Sequence, residues 1–139
     1  MSTYHNTISV QTRGDCDIID ITQKVDGIVK ESGLGTGLCT VFCSGSTGAL
    51  TTIEFEDGLL KDFPAAMERI APKDIEYAHD QRWRDGNGHA HVRASLVGPS
   101  LTIPFVNRKL TLGTWQQVVF VDYDNRPRSR NLEIVIIGE

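Results

Sequence analysis

Apolar positions along the chain fall into two rhythms, one alternating and one helical, and their order sets the expected architecture. Residues 4–12 ("YHNTISVQT") alternate weakly and predict a first strand; 16–22 ("CDIIDIT") reads as a short apolar second strand. Val25, Ile28 and Val29 then recur at helical spacing, with Thr22 placed to cap the helix and Gly33 to stop it. "GLCTVFC" (37–43) predicts a strong strand, "SGSTG" (44–48) a loop, and "ALTTIEF" a further strand.

From 57 to 72 the apolar stripe Leu59, Leu60, Phe63, Met67 and Ile70 predicts a helix. Pro64 in its middle implies a kink or a break into two short helices. Residues 73–88 read as a long polar connection. Four strands are then expected at 89–97, 100–106, 109–122 and 131–137, with "GPS", "NRK" and "DNRPRS" between them. The prediction is a single α+β domain over 1–139: sandwich-like, dominated by antiparallel sheet, with two or three short helices.

Candidate chemistry concentrates in "GNGHAHVRAS" (86–95). Read as a strand, it places His89, His91, Arg93 and Ser95 on one face and Ala90, Val92, Ala94 and Leu96 on the other. Histidines two apart then lie about 6–7 Å from one another, close enough to share a metal ion if a third ligand arrives from elsewhere. They equally suit acid–base work beside an arginine that holds an anion, or the solvated side of a sheet. His79, Asp80 and Asp85 precede this strand, and the Gly-rich "DGNG", which carries Asn87, permits close backbone approach.

Two other segments could bind an anion. The amides of "SGSTG" can form a nest, with the Ser46 and Thr47 hydroxyls as added donors. "RPRSR" (126–130) brings Arg128 and Arg130, suited to phosphate or carboxylate, on a late turn. In "GTWQQ" (113–117), Trp115 and Gln116 fall inside the expected strand, where Trp115 reads as core or subunit contact. "SGLGTG" is followed by a strand rather than a helix, which excludes a dinucleotide fingerprint.

Composition narrows the classes. The 139 residues carry a net charge of −4, which argues against nucleic acid or an anionic membrane surface as partner. Hydrophobic residues make up 40% and charged residues 23%, the balance of an ordinary globular protein. No run is long enough to span a bilayer and the first residues lack a signal-peptide apolar region, so a cytoplasmic location is expected. Cys39 and Cys43 would lie about 13 Å apart along a strand, too far for a disulfide. All three cysteines are read as buried thiols.

The quoted blocks resemble the YjbQ family. "SLVGPSLTIP" (95–104) matches the family's signature almost residue for residue, and "LGTWQQ" follows at the right separation. "GSTGALTTIEFEDGLLKDFP", "YAHD", "DGNGHAHVRAS" and "RPRSR" also fit its layout. Gly45 stands where a histidine usually precedes the hydroxyl pair. The resemblance implies a homotrimer with polar clefts between subunits. It also implies thiamine-phosphate synthase activity, joining a pyrimidine pyrophosphate to a thiazole phosphate. His79, Asp85, His91 and "GTWQQ" match family positions; His89 and Arg93 fall in a less uniform part.

The combined expectation is a site for a phosphorylated small molecule. His91 would act as acid, base or metal ligand, His89 and His79 would assist or ligate, and Asp85 would orient an imidazole or hold the metal. Ser46, Thr47, Asn87, Arg93, Ser95, Gln116, Arg128 and Arg130 would bind substrate. A departing pyrophosphate suggests Mg2+ or another divalent ion. The alternative is a non-catalytic trimeric module that binds a metabolite or a metal.

Overall fold

The structure, a computed structural model, describes residues 1–139. Its twelve elements run β1 (Ser2–Thr12), β2 (Asp17–Asp20), α1 (Thr22–Glu31), β3 (Gly37–Cys43), β4 (Gly48–Glu54), α2 (Asp57–Ile70), α3 (Ala78–Trp83), α4 (Gly88–Val97), β5 (Ser100–Val106), β6 (Lys109–Leu110), β7 (Gln116–Asp122) and β8 (Arg128–Gly138). Every strand pairing is antiparallel. One sheet has the order β1-β8-β3-β5-β6 and the other β2-β7-β4. The α+β class and the dominance of antiparallel sheet are as the sequence predicts, with the sheets curled into a half-barrel.

Alternation builds the larger sheet. Leu132, Ile134 and Ile136 of β8, Cys39 and Val41 of β3, and Ile103 and Phe105 of β5 all point to one side. Against them pack Val25, Ile28 and Val29 of α1, with Leu50, Val118 and Phe120 from the smaller sheet. The other side of β7 turns Val119 and Val121 toward Ala49, Met67, Ala90 and Ala94. β7 therefore reads "VVFVD" because helices and sheet bury both of its faces.

Several expectations are corrected. The stretch 89–97 is helix α4, not a strand. Its polar-apolar alternation also fits a helical face: after the buried Gly88, the pairs His89–Ala90 and Arg93–Ala94 recur one turn apart as the buried set. Ala, Leu and Arg favour helix, and the Asp80 carboxylate accepts the Gly88 N–H at 2.8 Å at the helix start. A Cβ on Gly88 would lie 2.4 Å from the Tyr77 Cβ, so only glycine permits this approach. The polar connection contains the short helix α3, giving four helices in all.

The expected strand 109–122 is interrupted after Leu110 and resumes at Gln116. α2 runs through Pro64 as one helix, its N-terminal Gly58 and Leu59 amides capped by the Glu56 carboxylate. Packing of Phe63 and Met67 on the smaller sheet offsets the one hydrogen bond proline cannot donate. All three cysteines are free thiols, with Cys39 and Cys43 buried and Cys16 half-buried. Burial pushes the Cys16 and Cys39 thiols up to about 11. No helix is long and apolar enough to cross a membrane.

Candidate functional site

Two of the four expected catalytic residues meet as stacked rings. α3 delivers His79 and α4 delivers His91, with ring centroids 4.2 Å apart and planes tilted by 39°. The connecting loop reverses through Arg84 (φ 56°) and Gly86 (φ 70°), bringing an Asp85 carboxylate oxygen to 3.5 Å from His79 Nδ1. A neighbouring carboxylate, Asp80, lies 3.5 Å from the same nitrogen. One ligand atom from each of His79, Asp85 and His91 falls within 4.8 Å of the others. Asp85 is exposed and the two histidines are half-buried, so the cluster opens to solvent.

Such a donor set decides which ion it suits. Two imidazoles and one carboxylate favour Zn2+, Fe2+, Mn2+ and similar ions, leaving coordination positions for water or substrate. Mg2+ prefers a shell of oxygens, so the Mg2+ expectation does not match these donors.

Asp85 is held from two sides. Its carboxylate accepts the Asn87 N–H at 3.1 Å, and its carbonyl accepts Asn125 Nδ2–H at 2.6 Å. The Asn125 N–H in turn donates to Asn87 Oδ1 at 2.9 Å. The turn between β7 and β8 thus clamps the loop that carries the carboxylate.

The remaining predicted residues divide. His89 lies off the cluster, only 4% exposed, with Nε2 lacking a partner. Burial and then the nearby Arg93 charge lower its pKa. Arg93 is committed elsewhere, donating to the Ala71 carbonyl at 3.0 Å and to Glu68 at 2.6 Å, which ties α4 to the end of α2. Ser95 lies one helical turn beyond His91 and donates to its carbonyl at 2.7 Å.

Arg128 and Arg130 belong to strand β8 rather than to a turn. Arg130 holds Asp122 through Nε at 2.8 Å and Nη2 at 2.9 Å. Arg128 pairs with Asp124 at 3.0 Å. Thr47 joins both pairs, accepting from Arg130 at 2.7 Å and donating to Asp124 at 3.1 Å. Burial raises the Asp124 pKa, but hydrogen bonds from Arg128, Asn87 and Thr47 outweigh it and hold the carboxyl below its ordinary range.

Gln116 is not in this region. It faces Glu54 at one end of the β4–β7 ladder, whereas Asp122 faces Gly48 at the other, about 20 Å away. Its amide bonds Thr52 and Gly113 instead. Trp115 occupies the turn before β7 and is 73% exposed, so it is not core.

Sequence reasoning missed Asp122, Asp124 and Asn125. Their signal is the paired carboxylates of "VDYDN", which end an apolar strand just before the arginines.

The family described as UPF0047 protein YjbQ-like matches residues 6–139. The chain belongs to the YjbQ family. A UPF0047 protein from Methanothermobacter thermautotrophicus is 35% identical over 139 residues, covering 100% of this chain and 95% of that protein. YugU, a UPF0047 protein of Bacillus subtilis, is 32% identical, covering 95% of this chain and 98% of its own. A crystal structure from Sulfolobus solfataricus, described as a YbjQ-like protein of unknown function, superposes with a TM-score of 0.93. It has 32% identity and covers 99% of each chain. A Clostridium acetobutylicum member of the family gives 0.87 at 38% identity, covering 95% of this chain and 99% of that one. The YjbQ fold therefore extends across nearly all of this chain.

Proposed function

We propose that this YjbQ protein is a metal-dependent enzyme acting on a phosphorylated small molecule, with thiamine-phosphate synthesis as the reaction to test. The observation that carries the reading is the convergence of His79, Asp85 and His91 within 4.8 Å. In that reaction a thiazole nitrogen attacks the pyrimidine methylene, a C–N bond forms, and the C–O bond to pyrophosphate breaks with its electron pair leaving on the anion. A divalent ion held by the cluster would neutralise that leaving charge. The chain's own part is to aim both imidazoles and the Asp85 carboxylate, through the Asn87 and Asn125 hydrogen bonds. The arginines expected to neutralise charge are turned inward, which moves that work toward the metal.

The second reading, a non-catalytic metal- or metabolite-binding module, draws on the same inward arginines, because few free cations remain to meet developing charge. Self-association fits either reading. Leu38, Phe42, Val106, Val135 and Ile137 are exposed apolar side chains on the outer face of the larger sheet. A trimer is the assembly the family resemblance suggests.

The test is formation of thiamine phosphate from the two precursors with Zn2+, Mn2+, Fe2+ or Mg2+, alongside calorimetric metal binding and solution mass. The wild type is expected to bind one ion and turn over. His91→Ala is expected to lose at least about hundredfold in metal affinity, beyond the 10–100-fold typical of outer-shell changes, while keeping its mass. Tight metal binding without turnover would leave the module reading. No metal binding by correctly assembled protein would end both metal readings.

A further inference from the structure

The loop joining β3 to β4 has donors and no acceptors assigned to them. The backbone N–H groups of Ser44, Gly45, Ser46 and Thr47 have no acceptor within the chain. Ser44, Gly45 and Ser46 are exposed, so their amides are open to an anion as an alternative to water. The Ser46 hydroxyl is also free. Arg130 commits Nε and Nη2 to Asp122 and Thr47, but its Nη1 makes no hydrogen bond. That nitrogen lies 3.4 Å from where a Cβ of Gly45 would stand. Glycine at this position omits a Cβ that would contact that nitrogen.

Of these residues Gly45 and Ser46 line a pocket of about 190 Å3, together with Gly48, Ala94, Ser95 and Pro99, and Arg130 Nη1 lies close behind Gly45. No carboxylate lines it. The acids beneath, Asp122 and Asp124, are each matched by an arginine. The volume falls below the about 300–1,000 Å3 of pockets that engulf a drug-sized ligand, so it suits one end of a molecule. Ser95 and His91 are neighbours on the surface of α4, about 5–6 Å apart between Cβ atoms. The pocket thus lies one helical turn from the imidazole cluster.

We infer that this pocket is an anion subsite that receives the phosphoryl group of a phosphorylated metabolite whose reacting end lies at His79, Asp85 and His91. The placement of that second end rests on the metal-centre reading above; anion binding by the loop does not. A ligand lying along α4 would have its phosphate on the loop amides and Arg130 Nη1, and its reacting atoms at the cluster. The inward-turned arginine would then serve twice, its Nε and Nη2 bracing Asp122 and its Nη1 meeting the ligand.

The experiment titrates inorganic phosphate into the chelator-treated full chain at physiological ionic strength, followed by 31P line broadening. Wild type and His91→Ala are expected to bind phosphate equally. Ser46→Asp places a carboxylate at the pocket and should weaken binding at least tenfold. Ser46→Ala, which keeps the turn and removes one donor, should weaken it two- to threefold. Circular dichroism checks that both variants fold. The subsite is overturned if Ser46→Asp binds like wild type, or if metal-free protein shows no saturable binding. Phosphate binding that needs added Zn2+ and vanishes in His91→Ala would overturn it while leaving the metal centre standing. Unchanged phosphate binding in a protein that holds no metal would do the reverse.

Discussion

Two polar clusters lie on either side of the turn between β7 and β8, and they are built in opposite ways. Asp122, Arg128 and Arg130 on strands β7 and β8, with Asp124 and Thr47 from the adjoining loops, form a closed set whose carboxylates are both buried and each matched by a guanidinium. His79, Asp85 and His91 form an open set on short helices and a loop, with no guanidinium or ammonium among them and facing solvent. Buried charges need partners because desolvation is expensive, so each carboxylate of the first cluster has its guanidinium, although Arg128 Nε stays unpartnered and Arg130 Nη1 makes no hydrogen bond. Donors that face water can remain unsaturated and wait for a ligand. Asn87 and Asn125 connect the two, so the rigid cluster supplies the alignment of the open one.

The largest expected effect comes from breaking the closed set. Arg130→Met leaves Asp122 buried without its two-pronged partner and should cost about 3–5 kcal/mol of stability, read by chemical denaturation. If the loss is under about 1 kcal/mol, the closed cluster is not the rigid member of the comparison. A smaller and pH-dependent effect attaches to Asp124. Its folded-state pKa lies below the ordinary aspartate value of about 4. The stability it contributes is therefore fully present above that value and disappears as pH falls through the depressed one. The stability gap between wild type and Asp124→Asn should accordingly narrow on acidification from about pH 6 to about pH 3. A gap that stays constant would mean the carboxylate is not held ionised by its partners.

The smallest effect on the fold should be the most telling for the site. Asn125→Ala removes the bond to the Asp85 carbonyl from an exposed turn. It is expected to weaken metal binding about tenfold, the scale of an outer-shell change, with little shift in melting temperature. Because a purely structural asparagine would move stability instead, affinity and melting are to be measured on the same samples.

The sequence made the strands legible wherever one face is buried, as in "GLCTVFC" and 100–106, since period-2 alternation is the direct imprint of a half-buried sheet. It misled at 89–97, where four polar residues at alternate positions mimic a strand over barely two helical turns. His79, Asp85 and His91 were nonetheless named, because their residue types and proximity in sequence survive the wrong secondary structure. Ser46 and Ser95 were likewise named, and the structure places both on the same pocket. His89 was assigned with His91 only because a strand would aim both the same way; on a helix, neighbours two apart diverge by more than a right angle. Gln116 was assigned from a motif, although it stands at the opposite end of strand β7 from Asp122, a separation that strand rise alone implies. The Arg93 partners, Ala71 and Glu68, stand far back in the chain and leave no local imprint, whereas Asp124 and Asp122 stand close before Arg128 and Arg130 and were within reach of a local reading.

The placement of β8 governs how the chain can come together. It is the last strand in sequence, yet it lies between β1 and β3, pairing with β1 from Ser2↔Gly138 to Thr12↔Arg128 and with β3 from Gly37↔Gly138 to Cys43↔Leu132. During synthesis, β1 and β3 are made early but have no common neighbour to zip onto. The larger sheet must wait, with two hydrogen-bonding edges unsatisfied, until residues 128–138 have emerged. Contacts spanning so much of the chain make for slow closure and a vulnerable nascent state. Arg128 and Arg130 arrive on that same final strand, so Asp122 and Asp124 acquire their counter-charges only in the act that completes the sheet.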